Sequence, residues 1–365
     1  VNTRAITVNA GSNSLRLDLV DTQDLRVHES QHTSTPPTAP ESLRDFDEFL
    51  GQHGERATTV AHRLVHGGEH FPQPRPVDEN TVSRLHELEA LAPQHVPSTV
   101  QLVQRTAHAA PSTPQVLCPD TGFHHTLPAE SRLEPLPSRW RSQIRRYGFH
   151  GLSYAWALRR TSELLGRDAE RINALVAHVG GGCSVCAIHN GRSVDTTMGF
   201  TPLSGIMMTR RSGDLDPSAL VWLLRNSGED LDEVEAALQR ESGLLGLSNG
   251  YSDDTRELVE AAEAGNDTAR TALTVFCRHL ASGLAAMATN LDSVDAVVFT
   301  GEIGWNQPEV RREVCRRLAL LGVPADLSDN RQDDGPVSGS GERPPVLVVQ
   351  PREEIQLALE ATRAL

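Results

Sequence analysis

Three stretches of this chain carry residues suited to anion chemistry. The first is Ser193–Pro217, where Arg210 and Arg211 stand beside a Ser212-Gly213-Asp214 turn. Adjacent arginines next to such a turn form either an anion site or a solvated pair. The loop before them is long, apolar and punctuated by Gly199, Pro202 and Gly205, which is unusual for a mere connector. The second stretch is the turn Asn9–Ser14, whose backbone N–H groups and Ser12 and Ser14 hydroxyls can cradle a phosphate or simply join two strands. The third is His178-Val179-Gly180-Gly181-Gly182, where glycines permit close backbone approach. The chain contains no lysine. Any charged side-chain contact to phosphate therefore falls to arginine or histidine.

The elements that must position these residues read as follows. Ile6 and Val8 alternate before the first turn and Leu15, Leu17 and Leu19 alternate after it, so Ala5–Val20 reads as strand, tight turn, strand. Ala174–Val194 repeats that design around the triple glycine. His28–Ser42, with its prolines and hydroxyl residues, reads as a surface loop, and Leu43–Gln52 as a short helix. Thr81–Leu91 is amphipathic and helical. Asp216-Pro217 has the residue types of a helix cap and first helical position. Helices follow at Ser218–Asn226 and Leu231–Gln239, then a long Ala-rich one from Leu258 to Asn290, broken near Gly265-Asn266. Val294–Thr300 is an apolar strand feeding the turn at Gly301, an arrangement suited to nucleotide phosphates. Ala325–Pro345 is polar and rich in Gly and Pro, a surface loop. Val346–Val349 is a strand, and a terminal helix opens at Arg352. Val116–Asp120 is an apolar strand; His124 and Thr126 beyond it read as local loop bonds.

At 365 residues the chain is expected to form roughly two domains. A net charge of −14 argues against nucleic acid or an anionic membrane as partner. No apolar run approaches a membrane span, and the N-terminal residues lack a secretion-signal pattern. Five cysteines without scaffold spacing fit a reducing cytoplasm. Cys183 and Cys186 have CxxC spacing but lie in an apolar strand, where small core residues are expected.

A set of motifs, in order along nearly the whole chain, resembles the acetate kinase family of actin/hexokinase-like phosphotransferases. NAGSNSLR at Asn9–Arg16 is similar to the family's NAGSSSLK; HRLVHGGE at His62–Glu69 to HRVVHGGE; LAPQHVP at Leu91–Pro97 to LAPLHNP. PDTGFHHTLP ending at Pro128 resembles FDTAFHQTMP, and RRYGFHG at Arg145–Gly151 matches outright. HVGGGCS resembles HLGNGAS, and VDTTMGFTPLSG with its Met pair and arginine resembles the VDTSMG–TPLEG signature. SGLLGLSNGYSDDTR, GEIGWN and REE complete the set against SGLLGISGVSSDMR, GGIGEN and T-D/N-E-E.

The resemblance implies an α/β fold of two actin-like (ribonuclease H-like) domains with a central nucleotide and substrate cleft, divided as 1–120 plus 355–365 and 121–354. It implies reversible phosphoryl transfer from ATP to a small organic acid with Mg²⁺, in a cytoplasmic homodimer. Carried over by motif, Arg63, Asp120, His150 and Arg211 are catalytic, with Arg63 also binding substrate. Val65, Gln94, His95, Phe149 and Pro202 line the acid pocket. Ser12, Ser14, Arg16, His178, Gly180, Gly181, Gly182, Asp254, Arg256, Gly301, Glu302, Ile303 and Asn306 hold the nucleotide and phosphates, and Asn9 and Glu353 the metal. There are departures. Arg16 replaces a lysine, Gly181 an asparagine, Tyr154 a histidine, and Glu302 and Trp305 a glycine and a glutamate. Gln94 replaces a pocket leucine, which points to a polar or larger acid if the amide is buried. Glu302 leaves open another donor such as pyrophosphate. A nucleotide-binding paralogue without kinase activity, or an inactive partner subunit, is the alternative class.

Overall fold

The computed structural model describes residues 3–329 and 333–365. The chain divides into two compact units, Val1–His125 with Arg352–Leu365, and Thr126–Pro351. The first unit is a six-stranded sheet of β1 (Arg4–Ala10), β2 (Leu15–Asp21), β3 (Arg26–Thr33), β4 (Thr59–Leu64), β5 (Arg75–Pro76) and β6 (Gln115–Pro119), in the order β3-β2-β1-β4-β6-β5. The second holds β7 (Ala174–Val179), β8 (Cys183–His189), β9 (Arg192–Thr196), β10 (Ala296–Thr300), β11 (Gly335–Pro336) and β12 (Val346–Val348), in the order β11-β12-β10-β7-β8-β9. Read from the other edge this is the same order, strand for strand. Both sheets open with an antiparallel meander and continue into parallel strands. Each ends in a two-residue antiparallel edge strand.

Both meanders form because a tight polar turn follows a strand of buried residues. Ile6, Val8, Leu15 and Leu17 are each at most 1% exposed and pack with Phe46 and Leu50 of the helix Pro40–His53. The parallel pairs need crossovers, and helices supply them. Pro40–His53 joins β3 to β4, and Val96–Ala109 lies between β4 and β6. The C-terminal helix Glu353–Arg363 returns to pack on β1, β4 and β6. In the second unit Asp267–Ala288 packs on β7 and β8, and Gly151–Leu165 on β7 and β10. Asp216 caps Pro217–Asn226 by accepting from the Ser218 N–H, and Asn266 caps the long helix after the expected break.

Three readings need correction. Arg26–Thr33 is an edge strand, not part of a loop; nearly all its side chains are solvated, so no alternation of apolar residues marks it. The polar stretch Ala325–Pro345 contains β11, and its residues 330–332 lie outside the described residues. Thr126 makes no local bond: its hydroxyl donates to the Ser193 carbonyl (2.9 Å). Cys183 and Cys186 are fully buried, and burial pushes both thiols up to about 12, as core residues require.

Candidate active site

In the first unit, three neighbouring parallel strands deliver their last residues to one edge. β1 runs beside β4 with Val8 opposite His62, and β4 beside β6 with Leu64 opposite Pro119. Asn9, Arg63 and Asp120 therefore emerge together at the carboxyl ends, where open α/β sheets bind ligands. Arg63 Nη2 donates to Asp120 Oδ2 (2.9 Å), and Arg63 Nη1 to Asn9 Oδ1 (3.2 Å). Burial works against the Arg63 charge, but Asp120 and Glu353 more than offset it and raise its pKa. Glu353, at the start of the C-terminal helix, has its carboxyl pushed up to about 7, first by burial and then by Asp120, with Arg63 pulling the other way. Two carboxyl groups thus share one guanidinium.

Ser12 is exposed and Ser14 half-buried in the β1–β2 turn. Arg16 leans on Asp18 (3.1 Å) and more distantly on Glu354 (3.9 Å), so its charge is largely matched by acids of the same unit. Val65 is buried and His95 half-buried. Gln94 is exposed, in the turn that precedes Val96–Ala109. The Gln94 amide is therefore not buried, the condition on which a polar or larger acid was expected.

In the second unit, His150 and Arg211 converge on the glycine turn after β7. A Cβ at Gly182 would lie 3.0 Å from His150 Nε2 and 3.4 Å from Arg211 Nη1. Glycine thus leaves open a space that two donors face. His150 has φ +60, a left-handed backbone that a residue other than glycine rarely holds without support. That support is a set of hydroxyls, of which the sequence marked only Tyr154, as a departure from the motif. His150 Nδ1 bonds Ser184 Oγ (2.8 Å), which also meets the Tyr154 hydroxyl (2.5 Å). Its ring stacks on His178 at 4.2 Å, and Ser153 Oγ bonds His178 Nδ1 (2.7 Å). The signal was present: Ser153 and Tyr154 open the helix after His150, and Ser184 lies opposite His178 in the β7–β8 register. Arg211 Nη1 also donates to the Pro202 carbonyl (3.1 Å), whereas Arg210 turns away to Asp253 (2.7 Å). The two adjacent arginines therefore separate into one facing the glycine turn and one on the surface. Phe149 is buried and Pro202 half-buried in this unit.

Beside the glycine turn is a pocket of about 230 Å³. Gly181, Asp254, Arg256, Glu302, Ile303 and Asn306 line it, with Thr209, Asp253, Thr255 and Gln307, which the sequence reading did not select. Thr209 is tied to the turn by donating to the Gly181 carbonyl (3.2 Å). Gly301 (φ +80) brings the β10 turn against β7; a Cβ there would lie 2.5 Å from the Val179 carbonyl. Arg256 pairs with Asp254 (2.5 Å). The exposed Glu302 faces the pocket, whereas Trp305 is buried and its carbonyl accepts from the fully buried Arg311 (2.7 Å). Gly180 and Gly182 complete the turn, with the Gly180 N–H donating to the Gly182 carbonyl (3.0 Å).

Two duplicated actin-like units, each with a polar turn at the end of its first strand, define a phosphotransferase fold. The sequence profile of the acetokinase family matches residues 41–359. An acetate kinase of Deinococcus radiodurans is 44% identical over 326 residues, covering 88% of this chain and 81% of that protein. One from Chromobacterium violaceum is 35% identical over 100% of this chain and 98% of its own. A propionate kinase structure from Francisella tularensis superposes with a TM-score of 0.90 at 27% identity, covering 100% of both chains. An acetate kinase structure from Porphyromonas gingivalis gives 0.90 at 28% identity, covering 99% of each. The chain belongs to the acetokinase family and is a phosphotransferase with a carboxyl group as acceptor.

Proposed function

We propose that this chain transfers the γ-phosphoryl group of ATP to acetate or a related small carboxylate, forming an acyl phosphate and ADP, and runs the reaction in reverse. The observation that carries this reading is the Asn9–Arg63–Asp120 array beside Glu353 at the strand ends of one unit. The acceptor needs no general base, since a carboxylate is ionised near neutral pH. One of its oxygens attacks the γ-phosphorus as the bond to the β–γ bridging oxygen breaks, and ADP leaves. Catalysis then consists of positioning and of matching charge. Arg63 binds the acid, and Asp120 orients Arg63. His150 and Arg211 hold the transferring phosphoryl. The pocket with Asp254, Arg256 and Asn306 takes the nucleoside.

Among the described residues no three acidic, histidine or cysteine side chains form a ready set of direct metal ligands. The crowding that raises Glu353 is nevertheless what a divalent cation relieves. Asn9, Asp120 and Glu353 would hold Mg²⁺ through its water shell, where it neutralises phosphate charge. The exposure of Gln94 removes the ground for preferring a polar acid, so acetate and propionate come first. Glu302 supports a second reading, in which the donor is smaller than ATP: its carboxylate stands with Asp253 and Asp254 around the pocket. Rates with ATP, GTP and pyrophosphate in wild type and Glu302→Gly decide between the two. Efficient ATP use unchanged by the substitution removes Glu302 from donor choice.

The partner is a second copy of the chain. Helix Pro217–Asn226 buries none of its residues, and Trp222 is 62% exposed beside exposed Val221 and Leu224. An apolar helix in that state has the character of an interface. No helix among the described residues is long and apolar enough to cross a membrane. Cytoplasmic residence is consistent with five buried free cysteines.

A further inference from the structure

A cavity of about 360 Å³ in the second unit lies between the loop Thr197–Asp214 and the helix Asp267–Ala288. Its helix side presents Arg278 and Ser282, four residues apart and so on one face. Arg278 is exposed, and among the described residues its guanidinium bonds only the adjacent His279 ring (3.3 Å). Burial, and Arg278 itself, lower the His279 pKa, with Asp214 acting the other way. The small side chain of exposed Ala286 leaves room on the helix side, while Gly283 lets the helix pack closely on the loop; a Cβ there would meet Ile206 Cγ2 at 2.9 Å. The opposite wall presents the carboxylates of Asp195 and Asp214. Arg146, the other guanidinium of the cavity, is committed to the Thr196 carbonyl (2.7 Å), to Glu134 (3.5 Å) and more distantly to Asp195 (4.0 Å), which leaves Asp214 as the more available wall carboxylate.

A cavity with the uncommitted Arg278 guanidinium and a hydroxyl on its helix side, and carboxylates on the other, matches a ligand of two parts. Its carboxylate would take Arg278 and Ser282, and a hydroxyl or ammonium group would donate to Asp214 or Asp195. The wall is also mechanically placed. Asp214 closes the base of its loop: its N–H donates to the Gly205 carbonyl (2.7 Å), and its Oδ1 accepts from the Gly205 N–H (2.7 Å). Arg211 lies within that clasped loop, and Arg146 leads into Tyr147–His150. We propose that this cavity is a regulatory site for a small α-hydroxy or α-amino acid, whose binding to Arg278 and Asp214 adjusts the loop that carries Arg211.

Calorimetric titration of the full chain with L-lactate, L-serine, propionate and inorganic phosphate tests this, and it reads binding whether or not the chain is a kinase. Lactate or serine is expected to bind once per chain, with affinity falling on the order of tenfold or more in Arg278→Ala. Ala286→Trp, which fills the cavity and touches no charge, should also abolish binding. In wild type the bound acid should change kcat with acetate while leaving the KM for acetate unaltered, and neither variant should respond. Absence of lactate and serine binding to wild type overturns the proposal. So does binding undiminished in both variants, which would place the acid elsewhere. Equal binding of propionate or phosphate, lost with Arg278, also overturns it, since the acceptor wall would then play no part.

Discussion

Arg63, Asp120 and Glu353 set the electrostatics of the proposed metal and acid end of the site. Because the Glu353 pKa is raised from 4.5 to about 7, the folded chain keeps a proton there that the unfolded chain loses first. Stability is therefore expected to fall as pH rises between those values and to level off above. Glu360 adds the same sign, its carboxyl pushed up to about 7 mainly by burial. Glu353→Gln should flatten part of this slope in a thermal melt. Added Mg²⁺ should raise Tm at pH 8 in wild type and much less in the variant. Equal slopes and equal Mg²⁺ responses would take Glu353 out of the metal site. In the other unit, Arg211→Ala should cut turnover by roughly 10³ or more, as removal of a cation at a transferring phosphoryl does. Near-normal turnover in a folded variant would contradict its role. Tyr154→Phe removes one bond to the hydroxyl that also meets His150. A loss of about 1 kcal/mol in positioning, near fivefold in kcat with KM little changed, is expected. An unchanged kcat would make Tyr154 a packing residue. Motifs singled out Arg63, Asp120, His150 and Arg211, and the structure brings Arg63 against Asp120 and His150 beside Arg211. The support that Ser153, Tyr154 and Ser184 give to the two histidines was not legible in the sequence, because hydroxyls in a helix's first turn and within a strand look like ordinary core polars.

At the scale of elements, the strand–turn–strand openings and the Asp216–Pro217 helix start were readable from the sequence alone. Alternating apolar residues around Asn9–Ser14 and around Gly180–Gly182 mark both meanders. Arg26–Thr33 escaped because an edge strand pairs through its backbone while its side chains meet water. Whether Gln94 was buried stayed open in the sequence because a turn's side-chain direction has no periodic signal. The loop carrying Arg211 depends on glycine: Gly213 has φ +72, and a Cβ there would lie 2.6 Å from the Gly205 carbonyl. Gly213→Ala should therefore strain the loop by on the order of 1–3 kcal/mol and lower kcat more than a change at an exposed glycine such as Gly228. Equal kinetics in the two variants would show that the clasp does not position Arg211.

For the whole molecule, the repeated strand order of the two sheets explains how one chain supplies two kinds of site. One unit sets arginine between carboxylates, and the other sets donors over a glycine turn beside a nucleoside-sized pocket. The same unit carries the uncovered helix Pro217–Asn226. Trp222→Asp should shift sedimentation from dimer toward monomer, and a wild type that sediments as a monomer would remove the proposed partner. The central claim is carboxylate phosphorylation, and hydroxylamine trapping measures it most directly. With ATP, Mg²⁺ and acetate or propionate, wild type should yield hydroxamate and ADP in equal amounts, dependent on the acid and lost in Arg211→Ala. Nucleotide binding without hydroxamate from either acid, or ADP release independent of added acid, would contradict the account.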